Sequence, residues 1–252
     1  MASLFSSFFE PNISSSRGRS HDSLKNFRQI SPAVQAHLKR VYSCLCFALI
    51  ASAVGVFFHL LWNIGGVITF LACMGSMGWL LSIPAYPYEE KKRVLLLMVS
   101  ALCHGATLGP LIDLVIQIDP RILISAFVGT ALAFGCFSGA AMLGRRREWI
   151  YLGGLLSSGI SILFWLQFAS SIFGGSAAVF KFELYFGLLV FVGYMVVDTQ
   201  KIIERAHFGD MDYVKHSLDL FVDFVAVFVR LLIIMAKNAP EKSEKEKRKR
   251  RC

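Results

Sequence analysis

The sequence predicts an all-α membrane protein, a bundle of six to seven transmembrane helices with a polar last helix at its centre. Composition is the first ground for this. Hydrophobic residues make up 55% of the 252 and charged residues 17%, with a mean hydropathy of +0.57, well above a soluble domain. Length is the second. Val41–Trp62, Ile64–Ile83, Val94–Ile118, Ile122–Leu143 and Trp149–Phe173 each approach the roughly 20 residues of helix that span a hydrocarbon core. Two further apolar runs, Phe182–Val197 and Leu218–Met235, carry aspartates in or beside them. All seven runs are continuous rather than alternating, which excludes a closed β-barrel.

Taken in chain order, residues 1–30 form a Ser- and Phe-rich arm with the composition of a disordered segment. Glu10 and the lack of an Arg-rich amphipathic helix count against a transit peptide. Ser31-Pro32 reads as an N-cap followed by proline at the first helical position, opening a membrane domain that extends to residue 236. Gly105-Ala-Thr-Leu-Gly109 and Gly135-Cys-Phe-Ser-Gly139 fit the small-xxx-small pattern of closely packed helices; a thin wall beside a pore is the sharper alternative. Pro110 is placed to kink the third helix. His104 and Asp113 lie nine residues apart on that helix, so they face opposite sides. Both are secondary candidates for a proton or ion role, Asp113 at a membrane mouth and His104 deeper. Residues 237–252 are a basic tail.

The loops set an orientation. Basic residues alternate between rich and poor connections: the N-terminal arm, Lys91-Lys92-Arg93, Arg145-Arg146-Arg147 and Lys201/Arg205/Lys215 against isolated Arg121 and Lys181. The inside-positive rule therefore puts the N-terminus in the cytosol. Eight Lys and Arg between Lys237 and Arg251 break the alternation if a seventh helix crosses. A last helix that enters, bends and returns would keep the tail cytosolic, and irregular backbone is tolerated where protein covers it. A full crossing against the charge rule is the alternative. Such a tail suits anionic lipid or an acidic cytosolic partner such as calmodulin.

Asp198, Asp219 and Asp223 carry the strongest functional signal. A carboxylate near the centre of a membrane helix costs about 2.5–3.5 kcal/mol on insertion scales, so such residues pair or line a watery path. Asp219 and Asp223 are spaced i,i+4 and Arg230 follows seven residues later, which puts all three on one helical face. A helix with that stripe belongs in the interior, surrounded by the other six. The cysteines show no CxxC, zinc spacing or disulfide framework, and Cys252 is misplaced for prenylation. Walker loop, GxSxG and HExxH motifs are missing, which points away from an enzyme and calls for no cofactor. The net charge of +9 sits mostly in loops and tail and does not argue for nucleic acid.

Several strings resemble one family. Gly187-Leu-Leu-Val-Phe-Val-Gly-Tyr-Met-Val-Val-Asp198-Thr-Gln200, Gly209-Asp-Met-Asp212-Tyr213, Asp219-Leu-Phe-Val-Asp223-Phe and Ala126-Phe-Val-Gly-Thr130-Ala131 are similar to those of the Bax inhibitor-1 family, and Asp22-Ser-Leu-Lys-Asn-Phe-Arg-Gln-Ile-Ser-Pro32 to its plant members. The resemblance runs from about Leu24 to the tail. It implies a seven-helix bundle with a central last helix, in the endoplasmic-reticulum membrane, that suppresses programmed cell death and influences calcium release. It also implies an aspartate pair, Asp198 and Asp223, which would sense pH and could ligate calcium in transit. Two departures stand out. His104-Gly105 occupies a place where many members carry Glu-Gly, and helix two lacks the arginine that joins the pair in bacterial relatives, leaving Arg230 as a candidate substitute.

Two carboxylates in contact cannot cheaply both ionise, so a pair shares a proton and titrates as a unit. Losing that proton would make the two helices repel and leave oxygens suited to a hard cation. The plain structural alternative is that Asp198 caps a helix end while Asp219 and Asp223 satisfy buried donors. Three functions follow: a pH-sensitive calcium leak or regulator, a non-transporting interaction protein that restrains death signalling, and an intramembrane aspartyl protease. The last is disfavoured. Val-Val precedes Asp198, Phe-Val precedes Asp223, and no Pro-Ala-Leu occurs, so the chain lacks the motifs such proteases resemble.

Overall fold

The computed structural model describes residues 31–143 and 149–249, with helices α1 (Pro32–Trp62), α2 (Val67–Ser82), α3 (Glu90–Ile118), α4 (Pro120–Leu143), α5 (Trp149–Phe173), α6 (Ala177–His207) and α7 (Tyr213–Lys249). A single 3₁₀ turn, Pro87–Glu89, leads into α3, and no strand occurs among the described residues. The arm 1–30, the Arg145–Arg147 run and Cys252 lie outside them. Five helices are long and apolar enough to cross a membrane alone. The other two differ for separate reasons. α2 has only 16 residues, about 24 Å of helix, and α7 carries the polar stripe.

Local chemistry sets the ends of α1. The Ser31 hydroxyl accepts from the Val34 N–H at 3.4 Å, with proline in the first turn, as the sequence predicts. The helix stops at Asn63, which adopts the left-handed conformation (φ 51°). Asparagine tolerates that region better than most residues. His59 Nδ1 then accepts from the Gly65 N–H at 2.7 Å, tying down the turn. Pro110 lies within the continuous α3.

Packing explains one glycine pair and leaves the other unused. A Cβ on Gly105 would collide with the Ser52 backbone, and one on Gly55 with the Leu102 carbonyl. α1 and α3 therefore approach backbone to backbone, the geometry small residues permit between membrane helices. Gly135 and Gly139 face open space, so that motif makes no such contact.

α7 is the axis of the molecule. It packs against α1, α3, α4 and α6, while α2 lies mainly on α3 and α5 on α6. Four helices rather than six form most of its wall. Phe221, Phe224 and Phe228 are buried along it, with Phe134 and Phe127 meeting Phe224 edge to face. The outer faces of α2 and α5 expose large apolar side chains, such as Ile68 (83%) and Phe173 (84%), as a lipid-facing surface does. Lipid is as apolar as these side chains, so packing and polar complementarity hold the bundle rather than hydrophobic transfer.

The re-entrant last helix expected from the charge count does not occur. α7 is one helix of 37 residues running antiparallel to α6, from the Asp198–Asp223 level to Lys237, whose ammonium lies 3.9 Å from the Phe180 ring centroid. Continuous hydrogen bonding along a well-packed axis keeps the helix straight. Seven alternating traverses carry the start of α1 and the end of α7 to opposite ends of the bundle. In sealed membrane vesicles, tags at the two termini are expected to differ in protease accessibility. Equal accessibility would place both termini on one side of the membrane.

Candidate functional site

The acid site forms where the last turns of α6 run past the first turns of α7. Antiparallel packing brings Asp198 and Asp223 into electrostatic contact across the α6–α7 seam. Asp223 is 5% exposed, and its Oδ2 is buried with no donor. Asp198 Oδ1 accepts from Lys201 Nζ at 2.8 Å, with the Asp198 side chain 17% and the Lys201 side chain 48% exposed. An ionised carboxylate only accepts, so two facing carboxyls satisfy one another only when one holds a proton. Asp219, one turn from Asp223, interacts electrostatically with both. The site grades from a solvent-reaching lysine through Asp198 to a fully enclosed Asp223.

Asp198 lies well inside α6 rather than at its end, and Asp223 keeps an oxygen without a donor. Among the described residues no group of three or more His, Cys, Asp or Glu is arranged to hold a metal ion. The pair offers four carboxylate oxygens against the six to eight that calcium takes. A calcium ion here would keep much of its water, as an ion in transit does.

The other predicted residues stand apart from the pair. Arg230 does not join it. Its Nη1 donates to the Ala226 carbonyl at 3.0 Å, and its guanidinium lies 4.3 Å from the Phe191 ring centroid, about 10 Å along the axis from Asp223. His104 meets Phe221 edge to face, with Nδ1 3.7 Å from Cys73 Sγ. Asp113 accepts from Gln117 at 3.0 Å on the surface.

A second polar cluster, unmarked in the sequence reading, ties α1, α3 and α7 together beside the acid site. Arg93 donates to both oxygens of Asp212, at 2.8 and 2.6 Å. Tyr213 Oη donates to Glu90 at 2.6 Å, and Ser217 Oγ to the Val41 carbonyl at 3.0 Å. His37 Nε2 and His216 Nδ1 are hydrogen-bonded at 3.0 Å, and both residues are buried. Burial pushes the Asp212 carboxyl up, but hydrogen bonds from Arg93 and the Lys215 N–H, with the Arg93 charge, outweigh it and hold the group below its ordinary value. These partners lie 119 to 179 residues apart, and Arg93 read only as a loop charge. Deeper in, Ser138 and Thr199 hydroxyls are buried 3.0 Å apart.

A helical bundle whose central helix sets Asp223 against Asp198 of α6 defines a polytopic membrane protein with a buried carboxyl pair. Residues 34–240 match the family described as inhibitor of apoptosis-promoting Bax1. Bax inhibitor 1 of Arabidopsis thaliana is 71% identical over 238 residues, 94% of this chain and 95% of its own. The protein of that name from Oryza sativa subsp. japonica is 64% identical over 234 residues, 93% of each chain. The one from Homo sapiens is 39% identical over 228 residues, 90% of this chain and 96% of its own. The chain belongs to the Bax inhibitor-1 family and is a plant-type member of it.

The Arg93–Asp212 pair carries a stability prediction. Both side chains are nearly enclosed, at 6% and 11% exposure, and removing one partner strands a buried charge. Arg93→Ala is expected to cost about 3 kcal/mol, or roughly 10 °C in the Tm of detergent-solubilised protein. Because the folded Asp212 value is depressed, the wild-type contribution is present above the unfolded value of about 3.9 and is lost as pH falls through the folded one. Tm measured across an acid series should show that loss in wild type and not in Arg93→Ala.

Proposed function

We propose that the protein suppresses programmed cell death from the endoplasmic-reticulum membrane through a pH-sensitive calcium leak, or control of ER calcium, gated by Asp198 and Asp223. The observation that carries this reading is the enclosed Asp223 carboxyl, whose partner across the α6–α7 seam is a second acid. The family supports cell-death suppression, since its relatives are named for inhibiting Bax.

With one proton between them, the carboxyls hydrogen-bond and hold α6 against α7. Loss of that proton leaves two like charges in a low-dielectric interior, where their repulsion is far stronger than in water. α6 moves from α7, and the freed oxygens attract a divalent cation. Lys201 bonds Asp198 at the water-facing side, so it competes with an arriving cation. Asp219 adds negative potential at the same mouth. Flux therefore rises as pH rises through the transition of the pair.

Calcium flux from proteoliposomes of purified protein across a pH series tests this directly. Wild type should show a pH-dependent leak. Asp223→Asn should lose the pH dependence, because an amide supplies no titrating proton. An unchanged profile in Asp223→Asn would refute the carboxyl gate. No flux at any pH would leave the protein as a non-transporting partner in death signalling.

A further inference from the structure

The α6–α7 seam continues beyond the acids to a second set of charges. Arg230 is half-buried on α7, about 10 Å from Asp223 along the axis. The glycine at 187 makes room for it, since a Cβ there would press on the Arg230 Nε. The Phe191 ring lies against the guanidinium at 4.3 Å. Next along α6 is Glu183, the carboxylate that interacts electrostatically with Arg230. Its Oε1 is buried without a hydrogen-bond partner, so the two are near but not joined. Beyond it Lys237 lies over Phe180. This half of the seam thus sets two cations against one carboxylate, while in the other half three aspartates are met by Lys201, Lys215 and Arg205.

We infer that Arg230 is the electrostatic barrier of the seam, a fixed cation that limits passage of any positive ion released by the acid site. The inference rests on the reading of the seam as a cation route. A fixed arginine in a low-dielectric passage repels cations, and the repulsion scales with the ion's charge, so calcium is held back more than potassium. Gly187 and Phe191 act as positioning residues, one by its lack of a side chain and the other by its ring face. Glu183 offsets part of the charge from the far side.

Potassium and calcium fluxes through Arg230→Gln, Arg230→Lys and wild type in proteoliposomes distinguish the possibilities. Taking about 10 Å and an effective dielectric of about 20, Arg230→Gln should raise potassium flux roughly tenfold and calcium flux by roughly the square of that. The pH midpoint should not move, because it belongs to the aspartates. Arg230→Lys should keep calcium flux close to wild type. A bundle merely loosened by the substitution would raise both ions equally, and that result overturns the barrier. Wild-type flux that Arg230→Gln leaves unchanged also overturns it, with the carboxyl gate still standing. Flux from neither protein overturns both.

Discussion

A carboxyl enclosed in a bilayer must find a donor, a counter-charge or a proton, and Asp223 faces another acid. That constraint organises the bundle. A helix carrying Asp219, Asp223 and Arg230 cannot face lipid at reasonable cost, so α7 sits on the axis and α1, α3, α4 and α6 form its wall. The same requirement fixes its register against α6. With Asp198 level with Asp223, two acceptors complete each other through one proton; a one-turn slip would set Asp219 or Val227 opposite Asp198 instead.

The ends of α7 are anchored by different chemistry. At its start, Arg93–Asp212, Tyr213–Glu90 and Ser217–Val41 bind the first turns to α3 and α1. Arg93–Asp212 and Ser217–Val41 are nearly enclosed, the kind of contact whose loss strands an unpaired group, while Tyr213–Glu90 is exposed. Toward the other end, Arg230 and Lys237 rest on aromatic faces of α6 rather than in direct ion pairs. The acid pair lies between a fixed end and a softer one, an arrangement suited to opening by small movement of α6 against α7.

Much of this was legible in the sequence. Seven apolar runs became seven helices, and the N-cap at Ser31 formed as expected. The i,i+4 spacing of Asp219 and Asp223 was enough to assign α7 an interior position. The facing of Asp198 and Asp223 followed from the family resemblance, because periodicity orients a helix but does not say which neighbour it meets. The charge rule suggested a bend in the last helix that α7 does not make. It sums loop charges and carries no information on the packing that keeps α7 straight. The Arg93–Asp212 and His37–His216 contacts were invisible for a related reason: partners so distant in sequence leave no local pattern.

Infrared difference spectroscopy of the protein in membranes is the most direct test of the shared proton. A protonated carboxyl has a carbonyl band distinct from that of a carboxylate. The account predicts that wild type shows this band, that it disappears as pH rises through the transition, and that both Asp198→Asn and Asp223→Asn alter it, since the proton belongs to the pair. A protein with no protonated carboxyl on the acid side of that transition, or with a band neither substitution touches, would contradict the account.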